Sequence, residues 1–280
     1  GSIAYIATEG GIGRWNMSSE EWEDSLTSLD GLPTNNIYSL NLWQDYASSG
    51  TLSENTLYIG TSGGLARYDL LTESALSTMT LTDGLIGTKS GAAELWSASS
   101  GAAPHLYVAH DGTGSTRPGV SEISLVGNDS VVDIHRIDQL PSNNVLALAE
   151  DWWGLHIATD NEPLIHWNLT TREFEDGAAS WQTMGWPIRG MNSDGTNLIA
   201  TTPMGITRID ANGFGHNVLD VKMMQGATGG FISSSGMWVT TNDGKGLFGW
   251  GPAPAFTEYE QLMMRRADPL SASFISASMN

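Results

Sequence analysis

The chain has no cysteine. That excludes disulfides, thiolate nucleophiles and cysteine-bound zinc. Basic residues are scarce: 12 Lys and Arg stand against 31 Asp and Glu, a formal net charge of −19. Nucleic-acid binding depends on clustered Lys and Arg that displace counterions from phosphates, so nucleic acid is excluded as a partner, and anionic membrane surfaces with it. A net charge this far from zero favours solubility, including in salty surroundings. No apolar run approaches the roughly 20 residues a spanning helix needs, so no membrane insertion is expected. No long stretch holds apolar residues at a 3.6 period, so helix is not expected either. No leader peptide opens the sequence, which begins inside a strand signal at Ile3-Ala4-Tyr5-Ile6.

What the chain does have is glycine at 33 positions, 11 tryptophans and 40% hydrophobic residues over a length of 280. That is a globular composition, large enough for one big β domain or two ordinary ones. It also has a repeat. Residues 31–69 read GLPTNNIYSLNLWQD, a polar insert, then TLYIGTSGGLARYD, and the pattern returns at 139–168 as QLPSNNVLALAED and WWGLHIATDNEPLIHWN. A repeated supersecondary unit means an array, each unit covering the apolar face of its neighbour.

The second strand of each unit serves as a ruler. It recurs at 4–16, 57–69, 106–112, 155–161, 198–210 and 238–250, with Tyr5, Tyr58, Tyr107, His156, Leu198 and Trp238 as equivalent positions. The steps between them are 53, 49, 49, 42 and 40 residues, the length of a four-stranded blade. First strands are expected at 35–43, 89–99, 143–151, 188–194 and 227–235, which is one too few. The missing one is LSASFISASMN at 270–280. Joined to the strand at Ile3, it completes a sixth unit after a 47-residue step. Fourth strands are more polar: 20–26, 75–81, 131–137, a stretch between Phe174 and Trp181, 216–221 and 257–263. Ser48 to Asn55 and Asp111 to Gly119 are expected as loop insertions.

LPTNNIYSL, LPSNNVLALAED and LYIGTSGGLARYD resemble the repeats of the two-component-regulator propeller family, and more broadly β-propellers of four-stranded blades. The expected fold is therefore all-β: one six-bladed β-propeller over residues 1–280, closed by pairing of the N- and C-terminal strands. The resemblance implies a ligand-sensing role, such as the extracytoplasmic part (periplasmic or secreted) of a larger sensor or surface protein.

Several motifs bear on chemistry. Gly60-Thr61-Ser62-Gly63-Gly64 matches the G-x-S-x-G nucleophile elbow, which requires a strand, a sharp turn and a helix. Here it lies between two strand signals and is expected to be a hairpin turn. His105, His110, His135, His156, His166 and His216 show no metal-ligand spacing, and His156 is expected to pack. The Asp-Gly turns at 111–114 and 242–246 fall short of a calcium loop; calcium is the one cofactor with a candidate, and otherwise none is expected. Asn16, Asn128 and Asn168 open glycosylation sequons.

The candidate site comes from propeller geometry. Loops leading into the first strands gather at one mouth of the central channel. Aligning these loops places Asn36, Lys89 and Asn144 at equivalent positions, with Arg189 at or beside the next. Two amides and two cations converging on a concave mouth suit a small anionic or carbohydrate ligand. The plainer alternative is that the Asn residues form turns and the cations are solvated. Trp43, Trp96, Trp152, Trp153 and Trp186 lie near the ends of first strands, where they either stack on sugars or wedge between blades.

The expected function is a non-catalytic ligand-binding or protein-interaction module, acting as a monomer. A propeller enzyme, a lyase or hydrolase acting on a saccharide or small anion at the mouth, is the alternative. A purely structural module is the third reading.

Overall fold

The computed structural model describes residues 3–47, 49–87, 90–96, 104–110, 119–125, 131–137, 140, 144–150, 154–160, 164–174, 188, 190–193, 198–202, 205–209, 215–219, 227–233, 236–241, 247–250 and 274–279. The strands are β1 (Ile3–Thr8), β2 (Gly11–Asn16), β3 (Glu21–Leu26), β4 (Ile37–Tyr46), β5 (Leu52–Thr61), β6 (Gly64–Asp69), β7 (Ser74–Met79), β8 (Ser90–Trp96), β9 (His105–His110), β10 (Gly119–Leu125) and β11 (Val131–Ile137). They continue as β12 (Val145–Glu150), β13 (Leu155–Thr159), β14 (Ile165–Asn168), β15 (Glu173–Phe174), β16 (Gly190–Ser193), β17 (Leu198–Thr202), β18 (Gly205–Ile209), β19 (Gly215–Leu219), β20 (Ala227–Ser233), β21 (Gly236–Thr241), β22 (Leu247–Trp250) and β23 (Phe274–Met279). Among the described residues the only helical pieces are two 3-10 turns, Ser28–Asp30 and Leu81–Asp83.

These strands form six sheets in which chain neighbours pair: β4 to β7, β8 to β11, β12 to β15, β16 to β19 and β20 to β22, with β1, β2 and β3 in the first sheet. The order in that first sheet is β23-β1-β2-β3, so the C-terminal strand lies beside the N-terminal one. Consecutive strands such as β1 and β2, or β4 through β7, run antiparallel. The chain divides into two compact units, residues 1–145 with 278–280, and residues 146–277.

Within the first unit, two clusters hold the sheets face to face. Tyr5, Ala7 and Ile12 of the first sheet pack with Leu57, Ile59, Ala66 and Tyr68 of the second. Tyr58, Leu65 and Met79 of the second pack with Leu106, Val108 and Ile123 of the third. The period-2 alternation of a strand explains this division: Leu57 and Ile59 point to one face and Tyr58 to the other. Because both faces are buried, residues 55–61 and 64–68 each include an unbroken buried run along the strand. A fully buried Leu or Ile contributes roughly 1.5–3 kcal/mol over leaving it exposed. In the second unit, Ala147, Ala149, Ala158 and Leu164 of one sheet pack with Ile188, Met191, Leu198 and Ala200 around the next.

Two expectations need correction in detail. Thr202 pairs with Gly205 as Thr8 pairs with Gly11 and Thr61 with Gly64, so Ile199, not Leu198, is the equivalent of Tyr5 and Tyr58. In Leu198-Ile199 two adjacent apolar residues fit the period equally well. The expected insertion at 48–55 is also strand over its second half, 52–55. Asn55, Glu54 and Leu52 pair with Gln44, Asp45 and Tyr46, extending β4 and β5 to ten residues each. Other boundaries shift by a few residues; 81 belongs to a 3-10 turn rather than a fourth strand, and 257–263 lies outside the described residues.

Candidate functional site

The loops leading into β4 and β8 are built alike. Thr27 caps the turn Ser28–Asp30: its hydroxyl accepts from the Leu29 N–H, while the Asp30 carboxylate accepts from the Thr27 N–H at 2.8 Å. Thr80 and Asp83 repeat this at 2.8 Å, a reciprocal capping box. Each turn ends on a glycine in the left-handed region, Gly31 at φ 94° and Gly84 at φ 97°. The chain then buries Leu32 or Leu85 and turns toward its first strand. Thr80's N–H and hydroxyl hold the Asp83 carboxyl below its ordinary value.

The Asn pair divides its work. Asn35 Oδ1 accepts from the Ser28 N–H at 2.6 Å, tying the loop back on itself. Asn36 donates through Nδ2 to the Tyr38 hydroxyl at 2.8 Å, and its N–H bonds the Thr34 hydroxyl at 3.2 Å. Asn36 is half-buried, and so is Asn144. The first strands β4, β8, β12 and β16 begin at Ile37, Ser90, Val145 and Gly190. Each of Asn36, Lys89, Asn144 and Arg189 is therefore the residue immediately before such a strand. Lys89 and Arg189 themselves lie outside the described residues, as do Trp152, Trp153 and Trp186. Trp43 is half-buried, donates to Glu54 at 3.1 Å and packs against the second cluster.

Ser62 sits exposed in the tight turn between β5 and β6. The Thr61 hydroxyl donates to the Gly64 carbonyl at 2.8 Å and accepts from the Gly63 N–H at 3.1 Å. Thr8, Gly10 and Gly11 make the same two bonds at 2.8 and 3.1 Å, with no serine in the turn. A strand, not a helix, follows, so no nucleophile elbow forms.

Two of the three sequons serve as turns. Asn16 Oδ1 accepts from the Ser18 and Ser19 N–H groups, and Asn168 Oδ1 from those of Thr170 and Thr171. Asp69 does the same with Leu71 and Thr72. Each turn closes on a residue of positive φ: Glu20, Glu73 and Arg172. Burial alone would push the Asp69 carboxyl up, but the Thr72 hydroxyl and the Leu71 and Thr72 N–H groups outweigh it and hold the carboxyl down. Asn128 and the Asp-Gly turns at 111–114 and 242–246 lie outside the described residues.

A depressed carboxyl contributes stability that is present above its unfolded value and lost as pH falls through the folded one. Both Asp69 and Asp83 have an ordinary value of 3.8. The thermal midpoint is thus expected to drop as pH falls below about 4. Asp83→Asn should lower the midpoint at pH 7, and the gap from the parent should narrow as pH falls below about 4. A melt series across that range measures it.

His156 is fully buried and its ring lies tilted at 36° against that of His166, its cross-strand partner, with centroids 4.9 Å apart. His110 is equally buried and meets the Ser121 hydroxyl at 2.9 Å. One constellation matches no sequence motif. At the cross-strand partner position of the ruler tyrosines stand Arg14, Arg67 and Glu122. The third of these is a buried carboxylate, held by the Tyr107 hydroxyl at 3.0 Å and meeting His105 Nδ1 at 2.8 Å. The signal that could have found it is the reversal of charge at one position of the repeat. Among the described residues no group of three His, Asp or Glu is placed to hold a metal ion, and no helix is long and apolar enough to cross a membrane.

No family model and no curated protein match the chain. Solved structures do. A chain of a nidogen/laminin complex aligns with a TM-score of 0.67 at 9% identity, covering 99% of this chain and 97% of that one. Regucalcin from Agrobacterium tumefaciens, a calcium-binding protein, aligns at 0.56 and 12% identity over 85% of this chain and 78% of its own. A gluconolactonase from Xanthomonas campestris aligns at 0.54 and 13% identity over 83% and 76%. At such identities the likeness speaks for fold and not for activity. The chain has an all-β, antiparallel fold of the β-propeller kind.

Proposed function

We propose that the chain is a six-bladed propeller, closed by pairing of its two ends, that binds a small anionic or carbohydrate ligand at one mouth of its channel without transforming it. What supports this is position. Asn36, Lys89, Asn144 and Arg189 all stand immediately before the first strand of four successive sheets. In a ring, that places two amides and two of the few cations of a −19 chain around one opening. The resemblance to two-component-regulator propellers adds an extracytoplasmic sensing or surface role. The likeness to a chain of the nidogen/laminin complex fits a module working by recognition, with another protein as the other class of partner. No cofactor is proposed beyond calcium at the Asp-Gly turns of 111–114 and 242–246, and a calorimetric titration with calcium chloride tests it.

A second reading has one observation in its favour: the buried Glu122 beside His105 is an imidazole–carboxylate pair of the kind that serves general-base chemistry. The likeness to a gluconolactonase fits that reading at the level of fold.

One experiment separates these. A panel of monosaccharides, sugar acids and small anions is screened by thermal shift against the parent and against Asn36→Ala, Lys89→Ala, Asn144→Ala and Arg189→Ala. A ligand held at about 100 times its Kd stabilises by about 2.7 kcal/mol, a rise of about 5–10 °C for a chain of this length. The mouth reading expects that rise in the parent and its loss in the variants. A ligand that shifts all five proteins equally removes the mouth from the account. Turnover that disappears in Glu122→Gln or His105→Ala favours the enzyme.

A further inference from the structure

The longest strands in the molecule do something the rest of the fold does not require. Among the described residues the other strands have two to seven residues, while β4 and β5 have ten each. The neighbouring strand β6 pairs with β5 only from Thr56 onward. Residues 44–46 and 52–55 are therefore a two-stranded ribbon running past the β5–β6 pairing. Three or four extra residues per strand, at about 3.4 Å each, carry its tip about 10–14 Å further.

A free ribbon is marginal in water unless its side chains hold it, and this one is held. Trp43 Nε1 donates to Glu54, Gln44 Nε2 donates to Asn55 Oδ1 at 3.2 Å, and the Ser53 hydroxyl donates to the Asp45 carbonyl at 3.1 Å. At the turn the Ala47 N–H bonds the Thr51 carbonyl at 2.9 Å and the Gly50 N–H bonds the Ala47 carbonyl at 2.7 Å.

The surface it displays conflicts with its own stability. Asp45 is exposed and stands directly opposite Glu54, a like-charge cross-strand pair of the kind that destabilises a sheet. Beside it, Tyr46 is 57% exposed. From Trp15 to Ala66 the sequence contains seven acidic residues and no Lys, Arg or His. Glu54 accepts from Trp43 Nε1 through one oxygen and from the Thr56 hydroxyl through the other, so the arm offers the exposed Asp45 carboxylate on one face and the Tyr46 ring on the other: the carboxylate accepts a cationic head and the ring accepts an aliphatic stem.

We propose that this β4–β5 arm is a docking surface for a Lys- or Arg-bearing segment of a protein partner, separate from the channel mouth.

The test uses the full chain immobilised for biolayer interferometry. The probes are three decapeptides: alternating lysine–threonine, serine–threonine and glutamate–threonine. The parent should prefer the lysine peptide over the serine peptide by at least about 10-fold at low salt, with the preference shrinking as salt screens it. Asp45→Lys should cut lysine-peptide binding about 10-fold or more. The same change should raise the melting temperature, because it makes an opposite-charge pair with Glu54. A merely structural role does not couple those opposite directions. Tyr46→Ala should weaken binding without unfolding the chain. Asp24→Lys, an equal charge change elsewhere in the same acidic stretch, should bind like the parent.

Equal binding of the lysine and serine peptides overturns the proposal. So does Asp24→Lys losing as much as Asp45→Lys, which would mean general attraction to an acidic protein. Self-association of the parent in sedimentation that Tyr46→Ala abolishes also overturns it, since the occupant would then be a second copy.

Discussion

Deleting residues 270–280 is expected to leave the chain unfolded or aggregated at about 37 °C. The deletion removes β23, which lies beside β1 in the first sheet. β1 would then present its row of N–H and C=O groups as an open edge, a template for association. A six-residue strand carries several backbone hydrogen bonds at about 1 kcal/mol net each. Together with its packing, that is comparable to the roughly 5–15 kcal/mol by which a domain is stable. The defect should be reversible in trans. Adding the peptide LSASFISASMN during refolding should restore a cooperative melt, because the peptide re-supplies the missing strand. A truncated chain that melts like the parent would show that β23 contributes nothing to the first sheet.

The second large effect is expected at one glycine of an adjacent pair. Gly64 has φ 123°, and a Cβ placed on it would drive into the Met79 carbonyl oxygen. Its neighbour Gly63 has no such φ, and a Cβ added there would find its nearest non-neighbour atoms, on Pro33 and Thr61, 3.8 Å away, ordinary contact distance. Gly64→Ala combines a strained backbone with a backbone clash and should cost about 3 kcal/mol. Gly63→Ala should stay within about 1 kcal/mol of the parent. Gly11 repeats Gly64, at φ 125° against the Leu26 carbonyl oxygen, so Gly11→Ala should match Gly64→Ala. Urea unfolding of the three variants measures the differences. Equal effects at Gly63 and Gly64 would mean the turn is not built as described.

Which parts of this are legible in the sequence follows from physics. The ruler strands are readable because Tyr5, Tyr58 and Tyr107 repeat one position of a two-residue period, and a large aromatic at a fixed position marks the phase. The ruler slips at Leu198 because Leu198 and Ile199 are adjacent and both apolar in the sequence, so the period loses its phase. The polar ladder Trp43–Glu54 and Gln44–Asn55 reads as a loop because hydrogen-bonded polar pairs leave no hydrophobic pattern. The capping boxes Thr27–Asp30 and Thr80–Asp83 share their Thr, Asp and Gly, whereas the Asn16, Asp69 and Asn168 turns recur by function rather than by identity. They stand out only once the registers align them. For the four mouth residues, aligning the repeats finds a shared position, the last residue before a first strand. It does not find that Asn36 spends its amide on Tyr38, because that bond depends on rotamer and loop shape.

The central claim is that the two ends of the chain lie in one sheet, and one distance tests it directly. The absence of native cysteine means two introduced thiols, at Ser2 and Asn280, can be labelled without competition. Strands about 4.8 Å apart and about 20 Å long confine any two residues of adjacent strands to roughly 25 Å. Pulsed electron–electron spectroscopy on the Ser2→Cys, Asn280→Cys protein should therefore give a narrow distribution below about 25 Å that collapses in denaturant. A broad distribution centred beyond about 35 Å in the native protein would contradict the pairing of the ends.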